Sequence, residues 1–327
     1  MYRSLGNMRS IPSALFRETR IIIPVRNGGA RWREAAAALR AAVPDPSMVA
    51  VVDSSSADGS DVVAAELGFD VEHIDPRTFN HGQTRQMAVD RFCKDRDFAL
   101  FLTHDAVIEG PESLTVLLDA FSDQQVGAAY GRQLPHHDAG PFGKHSASFL
   151  YPATSSVRRL VDATRHGIRT AHISNSFAAY RTRALRECGG FPSTLILGED
   201  AHVAFRMLLA GWSVSYRAAA LVRHSHDYSV LLEMQRYFDY GVLHAQLPEL
   251  LLELGEPVGD GLRFVKSELR YMTSAAPWLL PEVVVRNAAK YLGYRLGRAF
   301  KRLPNSMRRR LSMTKGYWDS TSIKDRA

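Results

Sequence analysis

The sequence predicts an α/β protein, with a mostly parallel central sheet covered by helices on both faces and a helical appendage at the C-terminal end. Three observations predict it. Apolar, β-branched runs alternate with helix-length segments through the first hundred residues, the pattern of a parallel sheet with crossover helices. Polar residues stand where those runs end, the position at which open α/β sheets bind ligands. After Asp227 the pattern turns helical and stays so to the end.

Taken in order, RIIIPV at 20–25 reads as a buried strand, followed by an Ala-rich helix over roughly 30–43. MVAVVD (48–53) is a second strand, SSSADGS a polar turn, and the next helix runs to about Gly68. Phe69–Ile74 is a third strand, Thr84–Arg96 a helix and Phe98–Thr103 a fourth strand. From about 136 the alternation loosens into PHHDAGPFGKH and a helical stretch. Strand-like AHISNSFAAY (171–180), a Gly-Gly-Phe-Pro turn at 189–192 and GEDAHVAFRMLLAGW follow, the last an amphipathic helix closed by Gly211. VSYRAAALVRHSH reads as short strands, and the helices beyond are broken at Pro248, Pro257, Pro277, Pro281 and Pro304. No internal repeat or low-complexity segment interrupts the chain.

With 327 residues, 46% hydrophobic and 23% charged, the composition is that of an ordinary globular protein. Cys93 and Cys188 lie far apart without metal-site spacing, which argues against a structural zinc or a disulfide framework and fits a reducing compartment. The basic N-terminus lacks the apolar run of a secretory signal, and no stretch is apolar enough to span a membrane. A cytoplasmic location is expected, with peripheral attachment to the inner face of the membrane as an option. The net charge of +7 is uneven: residues 263–326 carry 15 Lys/Arg against 4 Asp/Glu, leaving 26 against 30 elsewhere. A nucleic-acid binder would spread positive charge over its working face, so nucleic acid is not the expected partner.

Several segments could carry chemistry. Asp53 ends a strand, where a carboxylate could accept hydrogen bonds from a ribose or base, or merely cap the Ser-rich turn. Asp105, just past the fourth strand, could partner a divalent cation (Mg2+ or Mn2+) bridging to a diphosphate, or be a surface acid. His224 and His226, two apart, would share a face on a strand and could supply further ligands, or be structural. Glu199–Asp200 opens a helix; either could take a proton from an attacking hydroxyl, or both could simply complement the helix dipole. Arg85, within FNHGQTRQMA, could clamp phosphate oxygens or lie solvated.

In order, IIIPVRN, VVDSSSADGS, FNHGQTRQ, FLTHDA, GRQLP (131–135), YP (151–152), SNSFAAYR, GGFP, GEDAHVAFRMLLAGW and HSHDYS resemble a family-2 glycosyltransferase of GT-A fold, whose sheet is Rossmann-like. More narrowly, they resemble its rhamnosyltransferase branch. The segments run from about Ile21 to Gly241, and GYRLGRAF and KGYW near the C-terminus share the likeness. The resemblance implies that Pro24, Arg26, Asp53, Arg85, His104 and Asp105 bind the nucleotide sugar. It implies Asp105 and His224 as metal ligands, and Asp200 as general base with Glu199 the second choice. Arg132, Gln133, Ser174, Asn175 and His226 would line the sugar or acceptor pocket.

Three departures from the family pattern stand out. Val25-Arg26-Asn27 replaces Thr-Tyr-Asn, His104-Asp105 replaces Asp-X-Asp or the branch's Gln-Asp, and Gln86 stands where Asn is usual. None removes an acid that the chemistry needs. The implied reaction is direct, inverting transfer of L-rhamnose from dTDP-L-rhamnose to a lipid-linked glycan in O-antigen or other surface polysaccharide assembly. Alternatives are a GT-A transferase for another UDP- or GDP-sugar donor, or a sugar-nucleotide pyrophosphorylase, for whose Gly-rich loop IIIPVRNGG is a poor match.

The implied organisation is an N-terminal arm (1–19), a nucleotide-sugar half (20–135), an acceptor half (136–228) and a basic helical region (229–327). Within the last, Val285, Ala288, Ala289, Leu292, Leu296, Ala299 and Leu303 recur at helical spacing, flanked by Arg286, Lys290 and further basic residues. Such a helix would lie on an anionic membrane through 282–315, or pack on the body with a solvated basic face.

Overall fold

The computed structural model describes residues 13–319. Its nine strands form one sheet: β1 (Thr19–Val25), β2 (Val49–Asp53), β3 (Asp70–His73), β4 (Phe98–Leu102), β5 (Val107–Ile108), β6 (Val126–Leu134), β7 (Ser156–Arg158), β8 (Phe177–Arg181) and β9 (Ser213–Arg223). They are ordered β3-β2-β1-β4-β8-β6-β9-β5, and β7 pairs with β9. Strands β1, β2, β3, β4, β6 and β9 point one way, and β5, β7 and β8 run against them. The carboxyl ends of β1, β2, β4, β6 and β9 therefore share one edge, joined by the amino end of the reversed β8.

The central strands are apolar along their length because both faces are covered. Ile22, Val52 and Phe101 enter one core, under the helices His81–Phe92 and Glu199–Leu209. Their neighbours Ile21, Ile23, Val51, Leu100 and Leu102 enter the other, under Gly29–Ala42 and Glu112–Leu118. Successive side chains point to opposite faces, so one continuous apolar run supplies both cores.

Three boundaries differ from expectation. The helix after FN starts at His81, three residues early, because Asn80 caps it by accepting the Gln83 amide at 3.0 Å. The 171–180 segment becomes strand only at Phe177; before it, the Asn175 backbone and side chain are engaged by Glu199 and Asp200. Residues 213–223 form one long strand, its pairing with β6 shifting register between Gly131 and Arg132.

The C-terminal region differs most from its sequence pattern. Helix Val230–Gln246 crosses helix Leu280–Arg298 with the backbones almost touching: a Cβ on Gly297 would lie 2.0 Å from the Phe238 carbonyl oxygen, and one on Gly293 2.2 Å from that of Met234. This contact turns Arg286 and Lys290 inward. Arg286 pairs with Glu233 at 3.1 Å and Glu282 at 2.7 Å, while Lys290 lies 3.7 Å from Glu233 and 3.6 Å from Glu268. The expected outward basic flank is therefore buried at these two positions, and Val285 and Leu292 of the expected apolar stripe are exposed. No helix among the described residues is long and apolar enough to cross a membrane.

Candidate active site

The shared sheet edge is built in three parts. The first is the turn after β1 folded against the turn after β2. Asp53 is fully buried and accepts the Ser56 amide (2.8 Å) and hydroxyl (2.5 Å), with His73 Nδ1 3.6 Å away. The Asn27 amide donates to the Ser56 hydroxyl oxygen at 2.9 Å and the Asn27 side-chain oxygen accepts from the Ala57 amide at 2.8 Å, while Asp58 accepts the Gly29 amide at 2.8 Å. Asn27 and Ser55 hold left-handed backbone, φ 48° and 56°, a conformation that asparagine tolerates well. Pro24 is half-buried at this corner, and the exposed Arg26 has no hydrogen bond or ion pair among the described residues. The capping expectation for Asp53 thus accounts for its contact with Ser56.

The second part gathers Asp105, His224 and His226, whose ligand-type atoms lie within 4.8 Å of one another. Asp105 oxygens stand 3.5 Å from His224 Nε2 and 3.7 Å from His226 Nε2. β9 ends at Arg223, so the loop beyond it, rather than the pleat of a strand, brings the two rings together. His224 Nδ1 lies 2.8 Å from Gln133 Oε1. When Nδ1 carries the proton and donates it there, the Nε2 lone pair is left toward Asp105, the arrangement a metal-ligating histidine requires. Burial pushes His224 down to about 4, with the neighbouring Asp105 opposing the shift, so the ring is neutral and fit to ligate. Burial also lowers His226. For Asp105 burial works against the charge, but His224, His104 and His226 together outweigh it and hold the carboxyl below its usual range. Two imidazoles and a carboxylate fit a first-row divalent ion better than Mg2+.

Two expectations change here. His226, offered by its spacing as a further ligand but assigned by the resemblance to the sugar or acceptor pocket, stands with the metal-type cluster. Gln133, expected in the same pocket, is 5% exposed and sits behind His224, orienting it. Beside the cluster opens a cleft of about 340 Å3, lined by Arg31, His104, Asp105, His136, Asp138 and His226 among others. His136, Asp138 and Arg31 were not singled out from sequence. The polar PHHDAG loop directly after β6 was the available signal, since it leaves the ligand edge.

The third part is the start of helix Glu199–Leu209. Gly198 enters it with φ 74°, and a Cβ there would meet Leu243 at 2.5 Å. Glu199 is buried against Arg85 at 2.9 Å and accepts from Asn175 Nδ2 at 3.1 Å. Burial opposes the Glu199 charge, yet Arg85 and then His81 prevail and keep it ionised below the usual range. Asp200 accepts the Asn175 amide at 3.1 Å and the Ala201 amide at 2.8 Å. Burial, reinforced by Glu199 next to it, pushes Asp200 up to about 6. A carboxylate with that pKa is a better proton acceptor near neutral pH than an ordinary one.

Arg85, expected on the donor, is 5% exposed and spent on Glu199, and Asn175, expected in the sugar pocket, is 3% exposed and orients both acids. Ser174 is half-buried on the turn before β8, where its carbonyl accepts the Phe177 amide. Arg132 donates through Nε to the Tyr151 carbonyl at 3.1 Å. Glu199, held by Arg85 and Asn175, is the poorer base of the pair.

Residues 19–237 match the model of a family described as glycosyltransferase like family 2. The chain is 42% identical over 301 residues to the O-antigen chain rhamnosyltransferase WbaN of Salmonella anatum, covering 92% of this chain and 95% of that protein. It is 41% identical to RfbN of Salmonella typhimurium, also an O-antigen chain rhamnosyltransferase, over 92% of this chain and 96% of that one. In fold it is similar to the mannosyltransferase PcManGT from Pyrobaculum calidifontis, solved with GDP-Man and Mn2+, at a TM-score of 0.53 and 16% identity over 94% of this chain and 86% of that one. The α/β architecture is thus GT-A, and the chain belongs to glycosyltransferase family 2.

Proposed function

We propose that this enzyme transfers L-rhamnose, with inversion, from dTDP-β-L-rhamnose to a hydroxyl of a lipid-linked glycan during O-antigen assembly. The observation that carries the mechanism is the presence, on one sheet edge, of Asp200, a carboxyl held near pKa 6, and the Asp105–His224–His226 group. Asp200 takes the proton of the acceptor hydroxyl as its oxygen bonds to the sugar's anomeric carbon, and the bond from that carbon to the diphosphate breaks. Glu199, fixed by Arg85, keeps Asp200 basic, and Asn175 aims it. A divalent cation, Mn2+ or Mg2+, when held by Asp105, His224 and His226, would neutralise charge on the departing diphosphate. In this reading Asp53 would meet the nucleoside, with Pro24, Arg26 and His104 as further donor contacts, and Arg132 and Ser174 would line the sugar side. The rhamnosyl assignment is supported by likeness to two O-antigen chain rhamnosyltransferases along nearly their whole length.

Calorimetric binding of dTDP, UDP, GDP and dTDP-rhamnose with Mn2+ or Mg2+ tests this reading. Tightest binding of dTDP and its rhamnose conjugate is expected. Preference for UDP or GDP would keep the mechanism and replace the sugar, and binding of none would remove the transferase reading.

A membrane-facing role for the C-terminal region rests on a separate observation. Trp278 (74% exposed), Val284 (65%), Val285 (55%), Tyr291 (63%) and Leu292 (52%) lie open on one short stretch. Exposed Arg295, Lys301 and Arg302 follow it. Aromatic and aliphatic side chains beside basic ones suit the headgroup region of an anionic bilayer. We infer that this face rests on the inner surface of the cytoplasmic membrane, near the lipid-linked acceptor.

A further inference from the structure

Tyr180, on β8, is fully buried in the core that underlies the helices His81–Phe92 and Glu199–Leu209. Phe101 and Phe191 meet its ring edge-on, with centroids 6.0 and 5.3 Å away. A phenylalanine would fill this space without burying a polar group, which costs free energy unless that group is hydrogen-bonded. The Tyr180 hydroxyl is bonded: it donates to Asn175 Oδ1 at 2.8 Å. Residues five apart on a strand point to opposite faces, but β8 begins only at Phe177. Before it the chain turns, the Phe177 amide donating to the Ser174 carbonyl, and this brings the Asn175 side chain within reach of the hydroxyl.

The bond settles which way the Asn175 amide faces. Its oxygen is taken by Tyr180, so Nδ2 donates to Glu199 Oε1 at 3.1 Å, the oxygen that also lies 2.9 Å from Arg85. Reversed, the amide would set its oxygen against the Glu199 carboxylate, two acceptors facing each other in a buried space. The backbone amide of the same residue donates to Asp200 Oδ2 at 3.1 Å, and the Ala201 amide holds Oδ1 at 2.8 Å. One asparagine thus touches both acids, and the hydroxyl behind it decides whether it shows them donors or an acceptor. The other charged or titratable groups around the pair are Arg85 and His81 from helix His81–Phe92 and Tyr151 after helix Pro141–Leu150, with Arg236 acting on His81 from helix Val230–Gln246.

We propose that Tyr180 is a positioning residue for the base: its buried hydroxyl locks the Asn175 amide, and the locked amide keeps Asp200 aimed and its ionised form supported. The proposal rests on the reading of Asp200 as base and adds the group that acts behind it. Released from the hydroxyl, the Asn175 oxygen has no donor and the amide turns. Its N–H then leaves the two carboxylates, and Asp200 holds its proton to higher pH. A tyrosine that only fills the core would contribute stability and leave the titration of Asp200 where it is.

Four full-length chains test this: the unaltered protein, D200N, Y180F and Y180F/D200N, each denatured in urea from about pH 4 to about pH 8. The difference in midpoint between each chain and its D200N counterpart follows the ionisation of Asp200, because the general cost of losing the hydroxyl and the titration of His81 are common to both members of a pair. For the unaltered pair the advantage of D200N is expected to grow from about pH 4 and level off near 6. For the Y180F pair it is expected to level off about one pH unit higher, the size of a lost hydrogen bond to an ionised carboxylate. Coincident curves, or a plateau at lower pH, would make Tyr180 a core residue only and overturn the proposal. Should Y180F fail to fold, N175L, which keeps Tyr180 and removes the amide it locks, decides by the same pairing: the upward displacement is expected, and its absence overturns the proposal. If the unaltered pair shows no dependence on pH, Asp200 is not a raised carboxyl, and the reading of it as base falls together with this proposal. A pH-dependent unaltered pair with an unmoved Y180F pair removes this proposal alone.

Discussion

Asp200, the proposed base, shows how a single side chain can carry both function and cost. Its carboxyl is pushed up to about 6 by burial and by Glu199 beside it. Transfer at saturating substrate should rise with pH through about 6 and level off above, because only the ionised form accepts a proton. The same shift makes the folded state hold the Asp200 proton more tightly than the unfolded chain does. Folding stability is therefore greatest, as far as this group is concerned, below the ordinary aspartate pKa and falls as pH rises to about 6. D200N should abolish transfer yet leave nucleotide binding intact. It should also stabilise the protein at pH 8 by about 2 kcal/mol, an advantage that disappears near pH 4. Near-normal turnover in D200N would remove it as the base, and an unchanged melting temperature at pH 8 would show that its burial costs little.

At this scale the acids and His224 were legible, since residue type and position at a strand or helix end are written in the sequence. The roles of Arg85, Gln133 and Asn175 were not. Arg85 meets Glu199 across 114 positions and Gln133 meets His224 across 91. Nothing local to Arg85 says whether a ligand or a buried acid will claim it.

Among the elements, the crossing of helices 230–246 and 280–298 has the least room for change. A side chain at Gly297 would need to displace the Phe238 carbonyl, which is backbone and cannot rotate away. G297L should cost about 3 kcal/mol or more, seen as a lower denaturation midpoint, because overpacking here must separate two backbones. A midpoint equal to that of the unaltered protein would mean that the helices are not so closely apposed. The same crossing explains why periodicity misread this helix. The Ala/Leu spacing was real, but Glu233 and Glu268 on neighbouring helices draw Arg286 and Lys290 inward. Side-chain periodicity assumes that charges face water, and acids on other elements can reverse it.

Over the whole molecule, strand–helix alternation disclosed the parallel half of the sheet, β3-β2-β1-β4, because each crossover is local in sequence. The remainder, β8-β6-β9-β5, places a reversed strand beside β4 and sets β6 against β9 across more than 80 residues, information that no local pattern holds. The result still puts Asp53, Asp105, Gln133, His224 and the turn before β8 on one edge. The exposed apolar and basic face is the other large-scale feature. Co-sedimentation should show binding to vesicles containing anionic lipid and little to zwitterionic ones, and W278S/L292S should lose most of it. Equal binding by that variant would move the contact elsewhere on the chain.

The two loops at the corner proposed for the nucleoside are fastened to each other through Asn27, Ser56, Ala57, Asp58 and Gly29. Their ordering entropy is settled during folding, so that corner works as a rigid mould. On the proposed function a nucleoside would meet a finished surface there, and how well it fits would be decided by shape at first encounter rather than by any later closing of the loops.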